Sequence, residues 1–381
     1  AGRKLPDVVG MGLTPTLAFF VMTWDNIINV FVQPWAGAKS DKTWNRFGRR
    51  KPWIMVGLPI AALAFVFIPL ANTVFAIMIF ILITNFGMAL FRSPTVAWLG
   101  DLFPTEQRSK ANGIINLMGG VGAAIALFGG GILFDKLGRS APFVAGSLVM
   151  IVMASIALRF VKEPERINAA KDTAKSSFIN NFRAVWQSDD RSGFFVLLAI
   201  LLWFMAYEAL QTGLSSFAVF TLGMSPGKAS IYTTMFAASF ILFALPSGLI
   251  ATRFGRRRTI KVGLTGLVLL FGAGYFLIQE SISFAIILVL GGICWALVNV
   301  NSLPLVYDHG DENKIGAYTG LYYFASQSAA ILGPVLSGAL VDSLGDQYRW
   351  LWLFSSVFMA LAWLAITRVR EKQPEKLIPV S

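Results

Sequence analysis

The sequence reads as an all-α membrane protein of two pseudo-symmetric helical bundles, on three grounds. Of its 381 residues, 56% are hydrophobic and only 14% charged, whereas a water-soluble domain carries about 25% charged residues. The apolar residues gather into eleven runs of 19 to 31 residues, each long enough to cross ~30 Å of hydrocarbon as a helix. A basic phrase, Asn45-Arg-Phe-Gly-Arg-Arg-Lys51, returns as Thr252-Arg-Phe-Gly-Arg-Arg-Arg258.

The runs are 17–38, 53–71, 74–99, 113–134, 141–161, 192–222, 228–251, 259–279, 283–306, 317–341 and 349–369. Helices are expected throughout, because backbone amides in lipid must pair within the segment and no alternating barrel pattern is present. Internal prolines (Pro59, Pro94, Pro246, Pro304, Pro334) are tolerated in membrane helices. Short basic loops face the cytoplasm. If 39–52 lies inside, the inner segments hold 25 of the 32 Lys and Arg residues. The outer segments hold six (Arg3, Lys4, Lys136, Arg139, Lys228 and Arg349), and Arg92 lies within a span. The amino end then starts outside and the carboxyl end is cytoplasmic. Residues 1–161 form an N-terminal bundle, 162–191 a cytoplasmic linker, 192–370 a C-terminal bundle and 371–381 a tail.

The net charge of +12 does not point to nucleic acid, since the basic residues cluster in alternate loops and not along a groove-binding stripe. A single cysteine, Cys294, excludes an internal disulfide and a cysteine metal cluster. Ala1 to Thr16 lacks the pattern of a secretory signal peptide. A multi-pass protein of the cell (inner) membrane is expected, monomeric, with lipid as its surroundings and no cofactor.

The repeat has a constant offset. Gly48 and Gly255, Asp101 and Asp308, Gly113 and Gly320, Asp135 and Asp342, and Gly138 and Gly345 are each 207 apart. Before Gly48 the register slips by four, so that Gly37 matches Gly248. Two parallel repeats joined by a cytoplasmic linker are a transporter architecture.

The motif Gly37-x-x-x-Asp41 followed by Arg46-x-Gly48-Arg-Arg resembles the signature of the major facilitator superfamily, between its second and third helices, with an insertion after the Asp. A narrower likeness rests on Thr23-x-Asp25-Asn26 leading to Gln33-Pro34, with Phe91-Arg-Ser-Pro94, Asp101-x-x-Pro104 and Arg108-Ser-x-Ala-Asn112-Gly. These are similar to the glycoside–pentoside–hexuronide permeases and their sucrose-transporter-like relatives, over nearly the whole chain. The resemblance implies twelve helices. The first run here matches the family's second helix, so eleven are visible and the first is expected to be missing from this chain.

Ionisable groups deep in membrane helices cost about 2.5–3.5 kcal/mol each, so they mark candidate sites. Asp25, Arg92 and Glu208 qualify. Asp25, Asn29 and Gln33, at i, i+4 and i+8, make one polar stripe; Asn85 and Arg92 make another. Asp25 and Arg92 are expected to approach, either as part of a substrate or proton site or as a structural ion pair. In the second half Trp203, Tyr207, Glu208 and Gln211 form an aromatic–polar patch, which Asn299, Asn301, Tyr323 and Gln327 can join. Sugars present apolar C–H faces and hydroxyl rings, and call for such a mixture. Asp25 and Glu208 are the candidate proton carriers. In the melibiose-type relatives three acidic cation ligands occupy positions that are Gln33, Asn29 and Arg92 here, which disfavours a sodium site. The basic hairpins suggest a cytoplasmic gate: Asp41, Arg49 and Arg50 with Asp101 or Glu106, and Arg256 and Arg257 with Asp308. Glycines crowd 113–131 without the Gly-Pro expected of a drug–proton antiporter. No enzyme template fits, and His309 reads as a loop residue. Proton-coupled sugar or glycoside uptake by alternating access is the leading expectation. Efflux of an amphipathic molecule, or substrate sensing without turnover, stands as the alternative.

Overall fold

The structure is a computed structural model that describes residues 13–102, 105–163, 191–308 and 315–370. Residues 164–190 of the expected linker, the tail from 371 and His309 lie outside the described residues, as do the side chains of Asp41 and Glu106. The helices are α1 (Pro15–Met22), α2 (Trp24–Lys42), α3 (Lys51–Phe67), α4 (Val74–Leu102), α5 (Thr105–Leu137) and α6 (Ala141–Phe160). They continue with α7 (Ser192–Ser216), α8 (Pro226–Phe254), α9 (Arg256–Leu277), α10 (Ser281–Asp308), α11 (Ile315–Ser343) and α12 (Trp350–Thr367). Among the described residues there are eleven spans long and apolar enough to cross a membrane, because α1 and α2 together form the first. No strand forms among them beyond an isolated bridge, Asn45–Gly48. Large apolar side chains such as Phe31, Phe75, Leu242 and Leu245 stand more than 70% exposed, which is tenable only against lipid.

The first span is broken. Thr23 sits at φ −90°, ψ 0°, and both its N–H and its Oγ1 donate to Phe20 O. The chain then resumes as α2, which puts Asp25 in a new first turn.

Chain contacts divide the molecule into two compact units. Unit 1 comprises Ala1–Lys171, Gln211–Ala237 and Pro334–Tyr348; unit 2 comprises Asp172–Leu210, Ala238–Gly333 and Arg349–Ser381. Unit 1 thus adds the ends of α7 and α11 and the start of α8 to the N-terminal helices.

In unit 1, α3 and α4 cross backbone to backbone. A Cβ built on Gly57 would lie 2.9 Å from Gly87 O, and one on Gly87 would lie 2.6 Å from Ala61 N. Small residues permit this approach where lipid offers no hydrophobic drive for helix association. In unit 2, α9 and α10 repeat it with Gly263 against Cys294 O, at 2.7 Å from the built Cβ.

The turn between α2 and α3 needs Gly48 for two reasons. Its φ is +115°, and a Cβ there would stand 2.5 Å from Glu163 Oε2. Glu163, beyond the end of α6, accepts the backbone N–H groups of Arg49, Arg50 (3.0 Å) and Lys51 (2.9 Å) and the indole N–H of Trp98 (2.9 Å). Its carboxylate therefore satisfies the start of α3, where a helix leaves its first N–H groups unpaired. Arg50, 4% exposed, donates from Nε to Asp101 Oδ2 at 2.8 Å and from Nη1 to Ser40 Oγ. The matching hairpin in unit 2 is more open: Arg256 pairs with Asp308 at 43% and 37% exposure. Arg257 donates to Ile366 O (3.2 Å) and Thr367 O (2.7 Å) at the end of α12.

Gly87→Val should lower stability by about 3 kcal/mol, because the clash is with backbone and no rotamer relieves it; a fall in the detergent melting temperature is the readout. Glu163→Gln should cost about 2 kcal/mol, since three backbone donors and an indole lose a charged acceptor. Arg256→Ala should cost less than about 1 kcal/mol, as expected of an exposed pair. The ranking of the two melting temperatures checks this.

Candidate functional site

The polar stripe of α2 is carried on unit 1. Asp25, Asn29 and Gln33 are all half-buried along it. Helix α2 packs on α4, with a close approach where a Cβ on Gly37 would stand 2.6 Å from Ser93 Oγ. This brings the Arg92 region of α4 against α2. Asn85 is half-buried on the same helix, while Arg92 is exposed. Asp25 Oδ1 is buried and has no hydrogen-bond partner among the described residues. Among the described ion pairs within 4.0 Å, the expected pair of Asp25 and Arg92 does not occur.

Unit 2 holds the aromatic–polar patch. Tyr207 stacks flat on Trp295, with centroids 4.2 Å apart and planes at 5°. Phe204 meets Trp295 edge-on at 5.5 Å and Tyr322 edge-on at 6.2 Å. Glu208 is half-buried in the same turn of α7. Trp203 is 0% exposed, packed in the core of unit 2, with its Nε1 lacking a partner among the described residues. Asn301 is 3% exposed and ties α10 to α8 by donating to Ser247 Oγ at 3.0 Å. Asn299 is half-buried, and its carbonyl accepts from Ser302, whose hydroxyl lies 3.1 Å from Tyr322 Oη. Tyr323 and Gln327 are exposed. Gln211, half-buried on α7, belongs to unit 1. Trp295 and Tyr322 are additions that sequence reasoning does not single out. Trp295 and Asn299 stand at i and i+4 in one apolar run, which is the signal that could have found the first of them.

Of the expected gate residues, Arg49, Arg50 and Asp101 meet in unit 1, where Arg49 Nη1 lies 4.0 Å from Asp101. Arg256 and Asp308 meet in unit 2, and Arg257 anchors the end of α12. The glycine-rich stretch of α5 divides: Gly119, Gly122 and Gly129 have nothing within 4 Å of a built Cβ. Gly131 alone of these four touches backbone, at Gly227 O. Among the described residues there is no group of three His, Cys, Asp or Glu side chains able to hold a metal.

Comparison with known proteins agrees with the fold. Multidrug resistance protein 2 of Bacillus subtilis is 26% identical over 359 residues, covering 91% of this chain and 84% of its own length. The hexuronate transporter of the same organism is 25% identical over 294 residues, covering 70% of this chain and 65% of its own. A crystal structure of a mutant of the nucleoside transporter NupG superposes with TM-score 0.76 at 16% identity, over 95% of this chain and 93% of that one. The profile of the Major Facilitator Superfamily matches residues 8–232 and 214–380. With eleven spans, the repeated basic hairpins and that match in both halves, the chain belongs to the Major Facilitator Superfamily of membrane transporters.

Proposed function

We propose that this transporter takes up a sugar or glycoside together with protons, in the manner of the glycoside–pentoside–hexuronide branch. The observation that carries the reading is the Asp25 carboxylate, set at a break in a spanning helix with one buried oxygen that has no partner among the described residues. An ionisable group in that position is retained against a cost of a few kcal/mol, and broken helices are where transporters place coupling sites. Asp25 carries the proton and Arg92 restores charge balance when the carboxyl group is ionised. Loading from one face and release to the other couples the proton to the turnover of the carrier.

The cargo assignment rests on the second half. Tyr207, held flat by its stack on the buried Trp295, offers a rigid aromatic face beside the carboxylate of Glu208, with the amides of Asn299 and Gln327 and the hydroxyl of Tyr323 on neighbouring helices. Apolar C–H faces stack on such rings while hydroxyls take the polar groups. The likeness to the hexuronate transporter supports this reading. Efflux of an amphipathic molecule is the second reading, supported by the likeness to multidrug resistance protein 2 over 91% of the chain. The basic hairpins face the cytoplasm in both, with the carboxyl end on that side. The Arg50–Asp101 and Arg256–Asp308 clusters then lie at the cytoplasmic gate.

Proteoliposomes with an imposed pH gradient separate the two. Labelled disaccharide should accumulate when the outside is acid; extrusion in the opposite sense supports efflux. Asp25→Asn should abolish gradient-driven accumulation and leave counterflow exchange measurable, and unchanged accumulation removes Asp25 from the coupling step. Tyr207→Ala should raise KM for the sugar about tenfold, which corresponds to about 1.4 kcal/mol of weakened binding, with the proton dependence retained.

A further inference from the structure

The repeat carries a second pair of equivalent joints that neither the coupling site nor the basic hairpins use. Gly131-x-x-x-Asp135-x-x-Gly138 at the end of α5 recurs as Gly338-x-x-x-Asp342-x-x-Gly345 at the end of α11, at the 207-residue offset. Thr14-Pro15-Thr16 at the start of α1 recurs as Ser225-Pro226-Gly227 at the start of α8, at the 211-residue offset of the segment before Gly48. All four segments lie in unit 1. They join crosswise: the end of α5 holds the start of α8, and the end of α11 holds the start of α1.

The chemistry of the two joints is parallel. Ser225 donates its hydroxyl to Asp135 Oδ2 at 3.0 Å while accepting the N–H of Lys228 at 3.2 Å. A Cβ on Gly227 would collide with Asp135 Oδ1 and Gly131 O, so the carboxylate and the α5 backbone are seated against the first turn of α8. Ser230 adds a bond to Leu127 O at 2.9 Å. In the other joint Thr16 donates its backbone N–H to Asp342 Oδ2 at 3.0 Å, and its hydroxyl to the same oxygen. Gly338 is the close-approach residue here, since a Cβ on it would lie 2.9 Å from Thr16 Cα and 3.1 Å from Pro15 O. In each joint a carboxylate meets the positive end of a helix whose first N–H groups have no partner within the helix.

We propose that Asp135 and Asp342 are a duplicated latch that holds the carrier shut on the face opposite the basic hairpins, and that both must release for that face to open. The inference rests on the transport reading and on the orientation in which the hairpins are cytoplasmic, so the latch is extracellular. Each joint ties a helix of one sequence half to a helix of the other, so those helices cannot part at that face while either carboxylate keeps its hold. The α11 joint is also built to release. Asp342 Oδ2 accepts two donors, but its Oδ1 is buried with no partner among the described residues. Water entering on opening hydrates that oxygen and the freed helix start together, which offsets the hydrogen bonds that break. Tyr348 seals the α11 joint, stacking on Phe220 at 5.5 Å and tilting against Phe19 at 6.3 Å. Its burial, and then the charges of Asp346 and Asp342, push its phenol above the usual value, with a hydrogen bond to Ser216 opposing, so it stays a neutral plug. Asp135 and Asp342 are positioning residues and touch no cargo.

Spin-label distances test the latch without any cargo. In a Cys294→Ala background, one label pair is placed at Lys136 and Lys228 and a second at Leu17 and Ser343, all exposed positions. The unaltered latch should give a single short distance for each pair. Asp135→Asn and Asp342→Asn should each raise the population of a longer distance about fivefold. The double variant should raise it about twenty-five-fold at both label pairs, since release is shared. Asp→Glu at either position should recover most of the closed population. Should the double variant misfold, Ser225→Ala with Thr16→Val removes the two hydroxyl donors from the other side, leaving the Thr16 N–H in place, and must shift both distances in the same direction. Short distances unchanged in a folded double variant overturn the proposal, as does a lowered melting temperature with no change in either distance. Because no substrate enters the measurement, failure to find sugar uptake leaves this result standing, and a shift in distance leaves the cargo open.

Discussion

A helix in hydrocarbon pairs its own backbone everywhere except at its ends, and this molecule sets carboxylates against the starts of several of its helices. Glu163 takes the first N–H groups of α3, Asp342 takes that of Thr16 in α1, and Asp135 sits on the first turn of α8. Asp25 lies in the first turn of α2, a start that exists only because Thr23 interrupts the span. The acids come from distant parts of the chain: 112 residues separate Lys51 from Glu163, and 326 separate Thr16 from Asp342. These few charges therefore fix which helix ends may lie beside each other, more narrowly than apolar packing against neighbours as greasy as lipid can do.

Duplication has kept geometry and let chemistry drift. The crossing of α3 on α4 through Gly57 and Gly87 returns as Gly263 against the Cys294 carbonyl, where the thiol seats against Gly266 one turn along. The latch on α8 takes its hydroxyl from the capping Ser225, and the latch on α1 takes it from Thr16, two residues further into the pattern. The hairpins diverge most. Arg50 is nearly sealed between Asp101 and Ser40, while Arg256 and Asp308 stay open to solvent. A charge pair in water contributes little, so the first hairpin is a rigid joint and the second a loose one.

Much of this is readable from the residues alone. All eleven spans coincide with the predicted runs to within a few residues, because an apolar run of about 20 residues has one stable fate in lipid. The 207-residue offset already pairs Asp135 with Asp342 and Asp101 with Asp308. What stays hidden is everything settled by distance. Nothing local marks Glu163 as the cap of a helix more than a hundred residues earlier. Trp203 and Tyr207 stand at i and i+4, yet the first is sealed in the core and the second stacks on Trp295. Helical period places two residues on one face and does not say what covers it. The break at Thr23 is hidden as well, since Thr-Trp-Asp-Asn within an apolar run carries no proline or glycine to announce it.

The carboxylates differ in how completely they are used, and that difference separates scaffold from moving part. Glu163 receives four donors, three from backbone and one from an indole. Releasing it would strand all of them at once, so it is a fixed joint. Asp342 holds two donors on one oxygen and leaves the other buried with no partner among the described residues, as Asp25 does with its Oδ1. A buried acceptor left unmet costs about 1–3 kcal/mol, which is of the order of the hydrogen bonds that hold it. The closed arrangement at those two sites is therefore close to balance with a hydrated or protonated one. A carrier that must pass through both needs that near-equality at its latch and its coupling site, and needs it nowhere else.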